Sequence, residues 1–187
     1  MLSHLRPSIV SIVFFVVLTG LLYPLAITGI GGLAFPHQAG GSLMKASDGK
    51  IVGSRLIAQA FAKPGYLHPR GSSAGDGYDA TNSSASNLGP MDPKLHDRVA
   101  KDAAALAAEN PRAAIPADAV TQSGSGLDPD VSPENAAFQA PRIARARGLP
   151  LPVVQAIIAR HTEGPALGFI GQPRVNVLAV NLDLDGR

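Results

Sequence analysis

The sequence contains no cysteine and no tryptophan, and aromatic residues make up only 5% of its 187 positions. Without cysteine the chain cannot form a disulfide, a zinc–thiolate site or an iron–sulfur cluster, and it offers no thiol nucleophile. Charged residues amount to 16%, below the roughly 25% of an average soluble domain. The net charge is only +2, and basic and aromatic residues do not alternate, which argues against nucleic-acid binding.

The scarce charges are also unevenly placed. No Asp, Glu, Lys or Arg occurs between Arg6 and Lys45, and residues 9–33 are almost wholly apolar. A helix over residues 9–33 is about 37 Å long, enough to cross about 30 Å of hydrocarbon. We therefore predict a transmembrane helix at 9–33, a cytoplasmic N-terminus at 1–8 and an extracytoplasmic domain at 36–187. The orientation follows from Arg6 and the α-amino group, by the positive-inside rule.

A cleaved signal peptide is the alternative for this segment. Gly32, Leu33 and Ala34 have the small–x–small pattern of a cleavage site, but the apolar core of a signal peptide is usually only about 7–15 residues long. The length favours an uncleaved anchor in the lipid bilayer.

The remaining sequence predicts a small α+β domain with a short sheet and packed helices. Asp48 and Gly49 form a turn signal between two short apolar runs, so we predict a hairpin over 42–53. The further predicted elements are a helix over 54–62, a helix from Pro93 capped by Asp92 and ended at Asn110, a helix over 132–148 bent at Pro141, a helix over 152–161, and a central strand over 174–182.

A long loop over residues 63–93 separates the first two of these helices. Loops longer than about 12–15 residues are uncommon in compact domains and are usually functional or disordered. This one carries too many specific side chains for a plain linker. We take five of them as candidate contacts to partners: Tyr66, Arg70, Tyr78, Asn87 and Leu88.

The densest candidate motif is the segment 122–128, which consists of Gln122, Ser123, Gly124, Ser125, Gly126, Leu127 and Asp128. Successive N–H groups in a Gly/Ser run can point at an anion, as in phosphate loops. The segment lacks the lysine of a P-loop and the third glycine of a dinucleotide fingerprint, so a structural turn is the alternative. Arg142, Arg145 and Arg147 could meet a phosphate, Asp128 or Asp130, or form a salt-bridged helix face.

The sequence contains no recognisable catalytic or metal-binding motif. No Gly-x-Ser-x-Gly elbow passes through Ser123 or Ser125. The five histidines lack the spacing of metal ligands, so we predict neither a catalytic residue nor a bound metal.

Seven motifs, in order, carry a resemblance that covers almost the full chain. They lie at residues 53–59 (GSRLIAQ), 66–70 (YLHPR), 78–79 (YD), 86–90 (SNLGP), 121–129 (TQSGSGLDP), 142–148 (RIARARG) and 171–177 (GQPRVNV). With the single N-terminal span, this set resembles the C subunits of the bacterial high-affinity potassium-transporting ATPase, the Kdp system. Ala58, Leu67 and Gly71 stand where that family more usually has Gly, Phe and Pro.

The resemblance implies a non-catalytic subunit of an inner-membrane pump that takes up potassium. Its implied partners are a channel-like potassium-binding subunit, a P-type ATPase subunit and a small single-span peptide. The implied role is that of a catalytic chaperone that raises the ATP affinity of the ATPase subunit, with residues 122–128 as the nucleotide candidate.

The predicted topology conflicts with that role, because it places residues 122–128 outside the cytoplasm, where ATP is scarce. The alternative is an extracytoplasmic brace or gate at the potassium entry, where oxygen atoms of the 63–93 loop would suffice as ligands. A membrane-anchored enzyme acting alone and a released binding protein are the rivals from other classes.

Overall fold

The computed structural model describes residues 2–186. They form two compact units, one ending at Leu43 and one beginning at Met44, and each is described by itself.

The N-terminal unit is built of consecutive helices. A 3₁₀ turn at Leu2–His4 leads into α1 (Leu5–Val17), a π-helical segment (Leu18–Leu22), α2 (Tyr23–Ala34) and the short α3 (Pro36–Ala39). Together, Leu5–Ala34 form a 30-residue apolar helix whose most apolar stretch is not buried at all within the protein. Such a surface needs lipid or another protein around it. The helix predicted over 9–33 is present within Leu5–Ala34 as a candidate membrane span, and its crossing of a membrane stays a prediction.

The π-helical segment lies directly before Pro24. The N–H of Tyr23 donates to the carbonyl of Leu18, five residues back, and the Thr19 hydroxyl donates to the Phe15 carbonyl at 2.6 Å. A proline has no N–H, and its ring crowds the carbonyl four residues earlier. The wider turn makes room for Pro24 without ending the helix.

The predicted hairpin is present. Strands β1 (Leu43–Lys45) and β2 (Ile51–Ser54) pair with each other. At the turn, the Asp48 carboxylate accepts a hydrogen bond from the Lys50 N–H at 3.0 Å, and Gly49 has a φ of 81°. A left-handed φ of this kind favours glycine.

The three predicted helices that follow the long loop are confirmed as α4 (Pro93–Glu109), α6 (Pro133–Arg147) and α7 (Leu151–Arg160). Asp92 and Ser132 cap α4 and α6 by accepting from backbone N–H groups. Helix α6 continues through Pro141 and ends at Gly148, which is left-handed. A single additional turn, α5 (Ala117–Val120), lies between α4 and α6.

The principal sheet has three short antiparallel strands in the order β3–β5–β4. They are β3 (Asp130–Val131), β4 (Thr162–Glu163) and β5 (Arg174–Asn176). Asp130 pairs with Asn176, and Thr162 pairs with Val175. The predicted central position of β5 is confirmed.

Two predicted elements are wrong. The strand expected over 174–182 stops at Asn176, whose side chain accepts from the Ala179 N–H and so caps helix α8 (Val177–Asp185). The helix expected over 54–62 is a turn followed by irregular chain. Its backbone is held by distant groups, since the Ala58 N–H donates to the Leu127 carbonyl at 3.0 Å.

The core lies between helices α6, α7 and α8 and the three-stranded sheet. Leu67, from the long loop, is fully buried in it. Its other fully buried large side chains are Ile143, Val154, Ile157, Val175, Val180 and Leu184. The loop is thus part of the core, which fixes its backbone.

Candidate functional site

The two segments singled out by sequence meet in the structure. Gly71 and Gln122 form a parallel bridge, and the Ser123 N–H donates to the Gly71 carbonyl at 3.0 Å. Further along, the Ser84 N–H and the Ser83 hydroxyl both donate to the Ser125 carbonyl, at 3.1 and 2.8 Å. Residues 71–84 therefore form one surface with the segment 122–128.

Arg70 and Asp128 join these segments electrostatically. The Arg70 guanidinium lies 3.3 Å from Asp128 Oδ2 and donates to the Thr121 hydroxyl and the Gln122 carbonyl at 3.2 and 3.1 Å. Within the part of the chain that the structure describes, the buried Nε of Arg70 has no hydrogen-bond partner. Two predicted site residues from opposite segments thus form a single ion pair.

The segment 122–128 folds into a turn that uses most of its own donors. The Gly126 N–H donates to the Ser123 carbonyl, and the N–H groups of Leu127 and Asp128 donate to the hydroxyls of Ser125 and Ser123. Among residues 2–186, no hydrogen bond is made by the N–H groups of Gly124 and Ser125. Both residues are exposed, so these two N–H groups are accessible to an anion.

Gly126 lies close against the backbone of residues 71–84. Its φ is 70°, and a Cβ added there would lie 2.7 Å from both the Ala74 nitrogen and the Ser84 oxygen. Those neighbours are backbone atoms and cannot rotate away. This position requires glycine for space as well as for conformation.

The neighbouring stretch of the loop is held by two buried side-chain amides. The Asn181 amide accepts from the Leu67 N–H at 2.8 Å and donates to the Leu67 carbonyl at 2.9 Å. The Gln139 amide likewise accepts from the His68 N–H at 2.9 Å and donates to the His68 carbonyl at 3.1 Å. Each amide thus satisfies both backbone polar groups of one residue, buried Leu67 and half-buried His68. We call Asn181 and Gln139 the amide clamp.

Gln139 and the residues that hold it in place were not among the predicted site residues. Gln139 Nε2 also donates to Asn135 Oδ1 at 2.9 Å, and Asn135 Nδ2 donates to the Asp118 carboxylate at 3.0 Å. Asp118 in turn accepts from the N–H and hydroxyl of Ser132, both at 2.9 Å. The available signal was the presence of amides on an otherwise apolar helix face, since Asn135 and Gln139 are buried in α6.

Two of the three arginines of α6 form ion pairs, as the salt-bridged alternative predicted, and neither of these pairs is with Asp128 or Asp130. Arg142 pairs with Glu109 at 2.9 Å and donates to the carbonyls of Pro64 and Tyr66. Arg147 pairs with Asp185 at 2.7 Å, donates to the Gly65 and Leu184 carbonyls and stacks over the Tyr66 ring. Both side chains fasten residues 63–66 to the helical core.

The tyrosines among the predicted loop contacts also bond within the chain. Tyr66 donates to Asp185 at 3.0 Å, and this bond raises the pKa of its hydroxyl. Tyr78 donates to the Arg70 carbonyl at 2.9 Å, and burial raises its pKa. Asn87 is exposed, with a φ of 53°, and Leu88 is half-buried.

A groove of about 400 Å³ opens beside the Arg70–Asp128 pair. Its polar lining consists of Arg70, Asp118, Asp128, Asp130, Ser132, Gln172 and Arg174. Burial raises the pKa of Asp130, although the Asn176 hydrogen bond and the Arg174 charge act in the opposite direction. Within residues 2–186 no three His, Asp or Glu side chains are grouped so as to hold a metal ion. The groove can therefore offer hydrogen bonds and paired charges to a ligand.

A second cavity of about 280 Å³ lies between the clamped loop and helices α4 and α6. Its polar side chains are those of His68, Asp102, Glu109, Asn135, Gln139 and Arg142. Burial and the Arg142 charge lower the pKa of His68, so the neutral imidazole is favoured there.

The sequence of this chain is similar to those of known proteins of one family. The sequence profile described as K+-transporting ATPase, c chain, matches residues 5–186. A potassium-transporting ATPase KdpC subunit from Caulobacter sp. (strain K31) is 66% identical over 187 residues, covering 100% of this chain and 95% of the relative. KdpC subunits of Caulobacter vibrioides (strain NA1000 / CB15N) and Beijerinckia indica are 64% and 58% identical with the same coverage.

Proposed function

Because the chain belongs to the KdpC family, the c chains of K+-transporting ATPases, we propose that it is the non-catalytic accessory subunit of a potassium-uptake pump, needed for assembly. The observation that carries this proposal is the family match over residues 5–186. The proposed partners are a channel-like potassium-binding subunit, a P-type ATPase subunit and a small single-span peptide. The amide clamp and the Arg70–Asp128 pair support a structural role, because both direct polar groups at this chain's own backbone and side chains.

The membrane arrangement belongs to the same proposal. The chain crosses the bacterial inner membrane once, through Leu5–Ala34, with its N-terminus in the cytoplasm and its main domain outside. The charge distribution around the span supports this orientation.

Affinity purification of the tagged full chain in mild detergent, from cells starved of potassium, tests the assembly. We expect a P-type ATPase and a channel-like subunit to be recovered and identified by mass spectrometry. Recovery of the chain alone, while the other pump subunits are present in the same membranes, would contradict the proposal.

We further propose that the subunit raises the ATP affinity of the ATPase subunit. The narrower form of this proposal, direct contact of residues 122–128 with the nucleotide, requires the domain to face the cytoplasm. In that arrangement, the N–H groups of Gly124 and Ser125 would hold a phosphate, and Asp128 would accept from ribose hydroxyls.

Asp128→Ala separates the two forms of the ATP proposal. Direct contact predicts a roughly tenfold higher apparent KM for ATP in the assembled pump, because a charge-assisted hydrogen bond is lost. Arg70→Ala is the control: it breaks the same ion pair together with the bonds to Thr121 and Gln122, but it removes no group assigned to ATP. An unchanged ATP dependence of the Asp128→Ala pump would exclude direct contact.

The second candidate function is a brace or gate at the potassium entry of the channel-like subunit. The exposed tip of the long loop favours it, because Asp76, Thr81 and Asn82 present oxygen atoms to solvent, and potassium is bound by oxygen ligands. Hydrogen bonds within the loop also order the tip, since the Asp79 carboxylate accepts from the N–H and the hydroxyl of Thr81.

Asp76→Asn tests the entry role. If the tip attracts potassium, removing its charge should lower the potassium affinity of the assembled pump about threefold, the size expected of an exposed charge. Asp97→Asn, at an aspartate on α4 that is also exposed, should leave uptake unchanged. The chain has no cysteine, so a cysteine that replaces Asn82 would be its single thiol. Labelling of this cysteine in intact cells by a membrane-impermeant thiol reagent shows whether the loop tip lies outside the cytoplasm. Equal uptake by both aspartate variants would contradict the entry role.

A further inference from the structure

A projecting loop between β4 and β5 exposes a cluster of large apolar side chains. We call residues 164–173 the apolar arm. Leu167, Phe169 and Ile170 are 83%, 77% and 53% exposed. Outside the candidate transmembrane helix, few exposed apolar side chains lie so close together in sequence, and single scattered ones need no explanation.

The apolar arm is an ordered structure. Ala166 and Ile170 pair as an antiparallel bridge, with N–H to carbonyl distances of 2.8 and 2.9 Å in the two directions. The Gly168 N–H donates to the Pro165 carbonyl, and the Phe169 N–H donates to the Ala166 carbonyl. The backbone that carries the three apolar side chains is therefore held in one conformation.

The backbone of the tip is strained at its most exposed apolar residue. Leu167 has a φ of 53°, a left-handed conformation that residues other than Gly, Asn and Asp seldom adopt. A leucine that is both strained and solvent-exposed contributes nothing visible to the stability of this chain. Strain of this kind is typical of positions kept for recognition.

Charge determines which partner the apolar arm fits. No charged residue lies between Glu163 and Arg174, and these two pair with each other at 2.8 Å. Glu163 also pairs with Arg55, and Arg174 with Asp130. The base of the arm is therefore neutral overall. An anionic lipid surface would attract unpaired Lys or Arg side chains, and the arm has none to offer.

We propose that the apolar arm docks into an uncharged apolar pocket on another subunit of the potassium-transporting ATPase, with Leu167 and Phe169 as anchors. This inference rests on the proposed function, which supplies the partner. Aromatic and aliphatic anchors of this kind contribute most of the binding energy when they fill a pocket on the partner.

Substitution of the anchors tests docking separately from folding. Phe169→Ser should weaken association of the full chain with the other subunits by about 30-fold, as for a hot-spot side chain, while the melting temperature of the isolated full chain stays unchanged. Leu167→Gly should also weaken association, yet leave the isolated chain equally or more stable, because it removes the strain. Lower stability of isolated Leu167→Gly would overturn the proposal, since it would assign Leu167 to the fold.

Cross-linking identifies the occupant. A benzophenone attached to Phe169→Cys in the assembled pump should join to another pump subunit, whereas one attached to Met91→Cys, 85% exposed, should not. Adducts at position 169 only with lipid, only with a second copy of this chain, or with nothing would each overturn docking while the assembly stands. Failure of the unmodified chain to bind any pump subunit would instead refute the proposed function.

Discussion

Replacing Asn181 by alanine is expected to lower the free energy of unfolding by about 3 kcal/mol. Asn181 is 1% exposed, and its amide pairs with both the N–H and the carbonyl of Leu67. Leu67 is itself fully buried, so water cannot replace the lost partners. A buried backbone group left without a hydrogen bond costs about 1–3 kcal/mol, and this substitution leaves two.

Thermal unfolding of the full chain in detergent, followed by circular dichroism, measures this loss. For a chain of this size the expected decrease in melting temperature is about 6–12 °C. Asn82→Ala, at an exposed asparagine of the same loop, is the control and should change little. Asn181→Asp should be no milder, because it removes the donor and places a charge in the core. Equal melting temperatures for Asn181→Ala and the unmodified chain would show that the amide clamp does not hold the loop.

The second large effect is expected at Gly126. Gly126→Ala introduces a Cβ 2.7 Å from two backbone atoms, at a φ of 70°. The left-handed conformation alone costs a residue with a side chain about 1–2 kcal/mol, and displacing the packed backbone adds about 1–3 kcal/mol. We expect a total loss of about 2–5 kcal/mol by these two terms, with separation of residues 71–84 from the segment 122–128.

Gly124→Ala is the matched control two residues away. Its Cβ would meet no atom within 4 Å, and its φ is not left-handed. Its stability should therefore change by less than about 0.5 kcal/mol. Denaturant unfolding of the two variants side by side measures the difference. Equal stability would mean that the contact at Gly126 relaxes at little cost. Loss of ATP affinity in Gly124→Ala with intact stability would support a ligand role for the turn.

Local patterns predicted the elements whose signals are local. Helices α4 and α6 begin where Asp92 and Ser132 offer side-chain caps followed by proline, and the first hairpin turns at Asp48 and Gly49. Each of these signals acts over a few residues. They therefore determine structure wherever distant contacts do not oppose them.

The two wrong predictions have distant causes. Residues 54–62 have apolar side chains at helical spacing, but Asn176 binds the Arg55 carbonyl and Leu127 binds the Ala58 N–H. These bonds hold the segment in a turn and irregular chain, against its local preference for helix. Residues 177–181 are all buried, so neither the strand period of two nor the helix period of 3.6 can be read from them.

Part of the candidate site could be predicted as well. Glycine and serine content indicated that residues 122–128 form a special turn, and the polar richness of the long loop indicated a specific role. Their meeting through Arg70 and Asp128 could not be predicted, because the partners are 58 positions apart. The hydrogen bonds between Gln139 and His68 could not be predicted either, because these residues are 71 positions apart in the sequence.

The order of Leu67 and Asn181 along the chain has a consequence for biosynthesis. A ribosome makes the chain from its N-terminus, and Leu67 emerges 114 residues before the amide that binds it. Arg147 likewise needs the carbonyl of Leu184 to complete its bonds. Residues 63–68 therefore reach their final position only after Asn181 and Leu184 have been synthesised. A nascent chain that lacks these two residues cannot display the finished loop to a partner, so the fold delays assembly until they have emerged.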